Sequence, residues 1–165
     1  FGIGSPGTAT FLPHGEIVVG GVGLARFVST CAAQQTAAGA GCASSGGANA
    51  LEVEALPWIG GTFRARGTGL PLLSIVAEVY GFSSISLPLS LVLPQGQPGC
   101  NLLVSPDFLN FSIPVGGATT TALPIPDAAS LVGIWFRHQL NAYEFDAAGN
   151  IVALTASNAL RLTAF

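Results

Sequence analysis

Residues 50–68, "ALEVEALPWIGGTFRARGT", decide the fold class. In Ala50–Leu56 the apolar Leu51, Val53 and Ala55 alternate with Glu52 and Glu54. In Gly61–Thr68 the residues Phe63 and Ala65 alternate with Thr62, Arg64, Arg66 and Thr68. A period of two sends the two sets to opposite sides of an extended backbone, so both segments are strands with one wet face. If they are neighbours, the two glutamates face the two arginines, worth roughly a few tenths of a kcal/mol per pair.

The same texture continues downstream. "LSIVAEVYGFS" (73–83) is more continuously apolar and reads as a central strand, whereas the prolines of "SLPLSLVLPQGQPG" (86–99) demote that run to an edge or a bulge. "CNLLVS", "FLNFSI", "ATTTALPI", "LVGIWFRHQLNAYEF", "NIVALTA" and "ALRLTA" follow, with "DAAGN" (146–150) as a hairpin connection whose glycine can adopt a positive φ. The expectation is an all-β fold: an antiparallel β-sandwich of about eight or nine strands, Greek-key or jelly-roll-like, with an N-terminal strand extension. No amphipathic stretch is long enough for a convincing helix.

The 165 residues carry only 8% charged side chains and a mean hydropathy of +0.61. All five cations are arginine, with no lysine, and the net charge is −3. That gives no electrostatic footprint for nucleic acid. The most apolar stretch is broken by Glu78, Gly81, serines and prolines, so no membrane span is expected. A chain beginning at Phe1 without methionine predicts a mature secreted protein, extracellular or at the cell surface, whose signal peptide has been removed. A surface short of charge has little like-charge repulsion to keep copies apart.

Cys31, Cys42 and Cys100 fit neither a zinc site nor a C-x-x-C redox pair. In an exported protein a disulfide is the default, as Cys31–Cys42 or as Cys42–Cys100, and either leaves one thiol over. His14 and His138 are the only histidines, and no G-x-S-x-G accompanies them. His138 reads as a strand histidine packed on its neighbours, and Glu52 with Glu54 as the solvated side of a strand. No catalytic, cofactor or metal residue is assigned, no enzymatic activity is expected, and no cofactor is implied. Trp58, Trp135, Tyr80 and Tyr143 are the candidates for a sugar-binding platform, with a place in the core as the plainer account. "NFS" at 110–112 is a formal N-glycosylation acceptor.

"GAGCASSGG" (39–47), "PGCNLLVSPD" (98–107), "ALPIPDAASLVGIWF" (122–136) and "SNALRLT" (157–163) resemble secreted bacterial β-sandwich surface domains. The resemblance covers residues 40–165 and implies a secreted module with no known reaction. It also implies pairing of Cys42 with Cys100, leaving Cys31 as the extra thiol. The chain departs from the pattern after Cys42, where the usual proline is missing, and at "FRHQLNAYEFD", which is more polar and aromatic than usual.

Residues 1–39 then stand as an addition to residues 40–165. Within them "GEIVVGGVGLARFVST" (15–30) reads as a strand and "CAAQQTAAGAG" (31–41) as a connector. The strand can be an extra edge of its own domain, a loose arm, or a donor to a neighbouring copy. Burying five or six of Ile17, Val18, Val19, Val22, Leu24, Phe27 and Val28 in a neighbour contributes on the order of 10 kcal/mol before entropy costs. The expected function is a structural subunit of an extracellular filament or surface layer, self-assembling head-to-tail by N-terminal strand addition, with itself as partner. The alternative is a monomeric secreted carbohydrate-binding or adhesive module, with surface glycans as partner.

Overall fold

A computed structural model of the chain describes residues 33–165 throughout and, before them, the strand backbones of residues 9–11, 16–19 and 25–28. The chain divides into two compact units, Phe1–Ala32 and Ala33–Phe165.

In the first unit β1 (Ala9–Phe11), β2 (Glu16–Val19) and β3 (Ala25–Val28) form an antiparallel sheet in that order. The stretch 15–30, expected as a single strand, is therefore two strands paired to each other, with Ile17 opposite Phe27. Gly20, Gly21 and Gly23 lie between them. Three glycines within four positions disfavour one continuous extended run, the physical reason the stretch is not a single strand.

The second unit begins with β4 (Gln34–Ala38), which pairs with β16 from Gln34↔Thr163 to Ala38↔Ala159. The segment expected as a connector is thus an edge strand, and the domain starts before residue 40. An edge strand needs only a neighbour's backbone groups, so a small-residue sequence can serve. There follow β5 (Ala43–Ser44), β6 (Gly47–Ala48), β7 (Ala50–Ala55), β8 (Thr62–Thr68), β9 (Ser74–Gly81), β10 (Ser84–Pro88), the one-turn helix α1 (Leu89–Val92), β11 (Asn101–Val104), β12 (Phe108–Ser112), β13 (Thr119–Pro124), β14 (Trp135–Phe145), β15 (Ile151–Ala156) and β16 (Ala159–Thr163). That makes thirteen strands in this unit rather than eight or nine, the excess coming from β4 and from two-residue pairs such as β5–β6.

The all-β sandwich is built on a six-stranded antiparallel sheet, β12-β9-β14-β16-β4, with β15 also paired to β14. The eleven-residue β14 is its spine, pairing β16 along its first half and β15 along its second. The sheet β13-β8-β7 covers one face, and between them Leu51, Phe63, Val76, Phe136, Leu140 and Leu162 form the larger core. The ribbon β10–β11 and α1 cover part of the other face, over Val79, Leu102, Val104, Leu154 and Cys100. The alternation of β7 and β8 is as the sequence requires, with Phe63, Ala65 and Leu51 buried and Glu52, Glu54, Arg64 and Arg66 exposed. In the hairpin after β14, Gly149 takes φ 84° and Asp146 Oδ1 accepts from the backbone N–H groups of Ala148 and Asn150.

Polar side chains tie the layers together. β15 and β16 are one line of chain interrupted at Ser157–Asn158. The Asn158 side chain accepts from Leu51 N–H at 2.8 Å and donates to the Leu51 carbonyl at 3.0 Å, joining β7 to the large sheet. Gln139 accepts from Leu103 N–H at 2.8 Å and donates to the carbonyls of Ser157 and Asn101, joining the ribbon. Cys42–Cys100 is a disulfide, with Cα atoms 5.8 Å apart, and fastens the start of the unit to the ribbon. Cys31 lies outside the described residues.

Candidate functional site

Unpaired strand edges invite association, and folded proteins guard them with charge, proline, bulges or covering segments. In the two large sheets the outer strands differ in what they present to solvent. β7 bears exposed Glu52 and Glu54 and a bulge between Val53 and Ala55. β13 is threonine-rich and ends at Pro124. β15 is covered where Leu154 exchanges backbone hydrogen bonds with Gln95 and Gln97. β4 is apolar only in its alanines, with Gln34, Gln35 and Thr36 exposed.

β12 differs. Its sequence is "FLNFS", without charge or proline, and its register with β9 is unbroken from Phe108↔Tyr80 to Ser112↔Val76. Among the described residues nothing pairs with its outer edge. Register places Phe108 on the side of Tyr80, toward the smaller sheet, and Leu109 and Phe111 on the side of Val79 and Ala77. Apolar side chains therefore stand on both faces of the edge: Phe108 is 56%, Leu109 45%, Phe111 60% and, just beyond, Ile113 73% exposed. Beside Phe108 the sandwich opens into a groove of about 390 Å³, lined by Phe82, Phe108, Leu123, Pro124, Ile134 and Phe136 among others. At Gly81, which also lines the groove, β9 approaches the Ser105 carbonyl so closely that a Cβ would collide with its oxygen.

The residues expected to form the polymerisation strand fall as follows. Ile17, Val18 and Val19 are on β2, and Phe27 and Val28 on β3. Val22 and Leu24 lie outside the described residues, as does His14.

His138 is in the core. Its ring stacks on Tyr80 with centroids 4.1 Å apart, and Phe63 meets it edge-on. Nδ1 lies 3.1 Å from the Val79 carbonyl, which can only accept, so Nδ1 carries the proton and Nε2 accepts from Thr121 Oγ1 at 3.1 Å. Burial lowers its pKa to about 4, against the opposing pull of the Val79 hydrogen bond. A hydroxyl on a neutral imidazole resembles a nucleophile with its base. However, Thr121 is 1% and His138 0% exposed, so the pair has no approach for a substrate. Beside it Glu78 is buried and accepts from the Asn110 amide at 3.1 Å, so the nitrogen of the "NFS" acceptor is engaged within the fold. Burial pushes the Tyr80 phenol well above its ordinary range. The sequence pattern gave no sign that Glu78, Tyr80, Thr121 and His138 meet, since they sit on three different strands.

Of the four candidate platform aromatics, Trp135 is exposed, Trp58 and Tyr143 are half-buried and Tyr80 is buried. Trp135 lies against two guanidiniums, 5.7 Å from that of Arg137 and 5.4 Å from that of Arg161. Glu52 and Glu54 are exposed on β7, with Glu54 4.0 Å from Arg66.

No family model matches the chain, and neither a curated protein nor a solved structure does.

Proposed function

We propose that this chain is a structural subunit of an extracellular filament or surface layer, assembling head-to-tail as the N-terminal unit of one copy adds a strand to β12 of the next. The observation that carries the reading is the free, uncharged edge of β12 with apolar side chains on both faces. A partner strand there gains backbone hydrogen bonds and covers Phe108, Leu109 and Phe111 together. β2 already has neighbours on both sides, which leaves the outer strands β1 and β3, and the donor is taken as β3 because it carries Phe27 and Val28 of the apolar set.

The use of two different strands supports a chain of copies rather than a closed pair. The donor β3 belongs to the first unit and the acceptor β12 to the second. Donor and acceptor are then different surfaces, and a heterologous contact that does not close runs on as a filament. The Cys42–Cys100 disulfide suits an oxidising compartment, and no helix among the described residues is long and apolar enough to cross a membrane.

Negative-stain electron microscopy of the full chain, beside the same protein lacking residues 1–32, tests the reading. Filaments are expected from the full chain and monomers from the shortened one, which keeps both cores and the disulfide. Monodisperse particles from both overturn it. The second reading is a monomeric secreted carbohydrate-binding or adhesive module, and the observation that favours it is the exposed Trp135 beside Arg137 and Arg161.

A further inference from the structure

The face of the large sheet that bears Trp135 carries an arrangement that assembly at β12 does not use. Arg137 on β14 and Arg161 on β16 are direct cross-strand partners, and β4 sets Thr36 opposite Arg161. Two residues along, Trp135 is opposite Thr163, which is opposite Gln34. Directly paired residues of antiparallel strands project from the same face, about 5 Å apart. Six side chains thus form two rows of three on one face: Trp135, Thr163 and Gln34, then Arg137, Arg161 and Thr36. A hollow of about 150 Å³ opens among Gln34, Thr36, Arg161 and Thr163.

Like charges set directly opposite each other destabilise a strand pair. On β8 the chain avoids the problem, placing Arg64 and Arg66 beside a strand that carries Glu52 and Glu54. Arg137 and Arg161 have no such relief. Among the described residues no carboxylate comes within 4 Å of either, and the buried Nε of Arg137 has no hydrogen-bond partner. The Trp135 ring accounts for part of their stability through cation–π contact, but offers no acceptor to the buried Arg137 Nε. In a chain with five arginines and no lysine, two stand together where no carboxylate of the described residues lies within 4 Å.

We propose that this array binds the carboxylate of an acidic saccharide. Arginine forks match a planar carboxylate in two-point contact. Gln34, Thr36 and Thr163 offer an amide and two hydroxyls to the sugar's own hydroxyls, and the exposed part of the Trp135 ring gives its apolar side a surface. Two cations on a chain of net charge −3 are too few for a nucleic-acid backbone. The site gives the binding-module reading a specific place. It lies wholly within residues 33–165 and does not depend on the filament.

The test is calorimetric titration of the full-length protein with trigalacturonate, with neutral cellotriose and with sulfate. Saturable binding of trigalacturonate is expected, about ten-fold or more tighter than the other two, and weakening several-fold as salt rises. Arg161→Gln and Arg137→Gln should each weaken it about ten-fold or more, while Arg64→Gln on the other sheet leaves it unchanged. Circular dichroism and melting of each variant confirm that the fold is intact. Absence of trigalacturonate binding, equal affinity for cellotriose, or indifference to both arginine substitutions overturns the proposal. Equal affinity for sulfate overturns the saccharide assignment. A β12 variant that loses filaments yet still binds trigalacturonate separates this site from the assembly reading.

Discussion

β7 and β12 are both outer strands of the same sandwich, yet they are built on opposite rules. β7 presents two carboxylates and a bulge to solvent, and the Leu51 backbone groups are taken by Asn158. β12 presents two phenylalanines and a leucine on an unbroken register, with no charge at all. Chain chemistry does not force the difference, because the same molecule has solved the problem at β7. What sets β12 apart is the apolar surface it exposes along its open edge, and the proposed partner is β3 of another copy.

The largest effect is expected from giving β12 the treatment that β7 already has. Leu109→Arg together with Phe111→Arg puts charge on the exposed side of the edge, where it costs the free protein about 0.5 kcal/mol or less per site. Filaments seen by electron microscopy should vanish altogether while the melting temperature moves by only a few degrees. The converse sharpens the contrast. Glu52→Val with Glu54→Val removes the guard from β7, and light scattering should then show lateral clumping that the parent protein lacks. Filaments that survive the double arginine variant locate the acceptor elsewhere.

Substitutions in the stitched interior should behave in the opposite way, changing stability and not association. Gln139→Ala leaves Leu103 N–H and the carbonyls of Ser157 and Asn101 without their partner in a buried place, a loss of about 4 kcal/mol. Cys42→Ala with Cys100→Ala opens a loop of 58 residues, also worth roughly 4 kcal/mol in the chain-entropy account. Denaturant titration of material held below the assembly concentration reads both. A variant that keeps the parent midpoint removes that stitch from the account of the fold.

The contrast also marks what local sequence can and cannot carry. Alternation in β7 and β8, the apolar run of β9 and the turn at 146–150 were legible because each is decided by residues within a few positions of one another. "FLNFSI" was legible as a strand, but not as an edge, because position in a sheet depends on neighbours tens of residues away. The segment 31–41 that holds β4 reads as a connector because it is so rich in alanine and glycine, and 15–30 as one strand because its apolar residues dominate. The Arg137–Arg161 array has no local signal, its members lying 24 positions apart and meeting only through register. "SNAL" was visible as letters of a resemblance, while its work, Ser157 and Asn158 bridging a break between strands, needed the fold to be seen.

His138 extends the contrast to pH. Its pKa in the fold is about 4, against 6.5 for an exposed imidazole, so between these values the unfolded chain binds a proton that the folded one refuses. Its contribution is intact above pH 6.5, falls as pH drops toward 4, and has then lost about 3 kcal/mol, with no further loss below. Denaturant midpoints measured at pH 7.5, 5.5 and 4.5 should follow that course, and His138→Gln should flatten it. An edge of Phe108, Leu109 and Phe111 has nothing that titrates, so elongation rates over the same range should change little until the fold itself weakens.

The smallest effect separates two explanations of the guard on β7. Glu54 and Arg66 are 4.0 Å apart and both side chains are well exposed, so as an ion pair they contribute little, about 0.5 kcal/mol at most. If the glutamates are present for that pair, Glu54→Gln should cost those few tenths and do nothing else. If they are present to keep the edge free, stability should barely move while association at high protein concentration rises, and more so when salt screens Glu52. Sedimentation beside thermal melting distinguishes the two. The second outcome is expected, since an exposed pair at the limit of ion-pair distance is a weak reason for two carboxylates on one strand, and an otherwise open edge is a strong one.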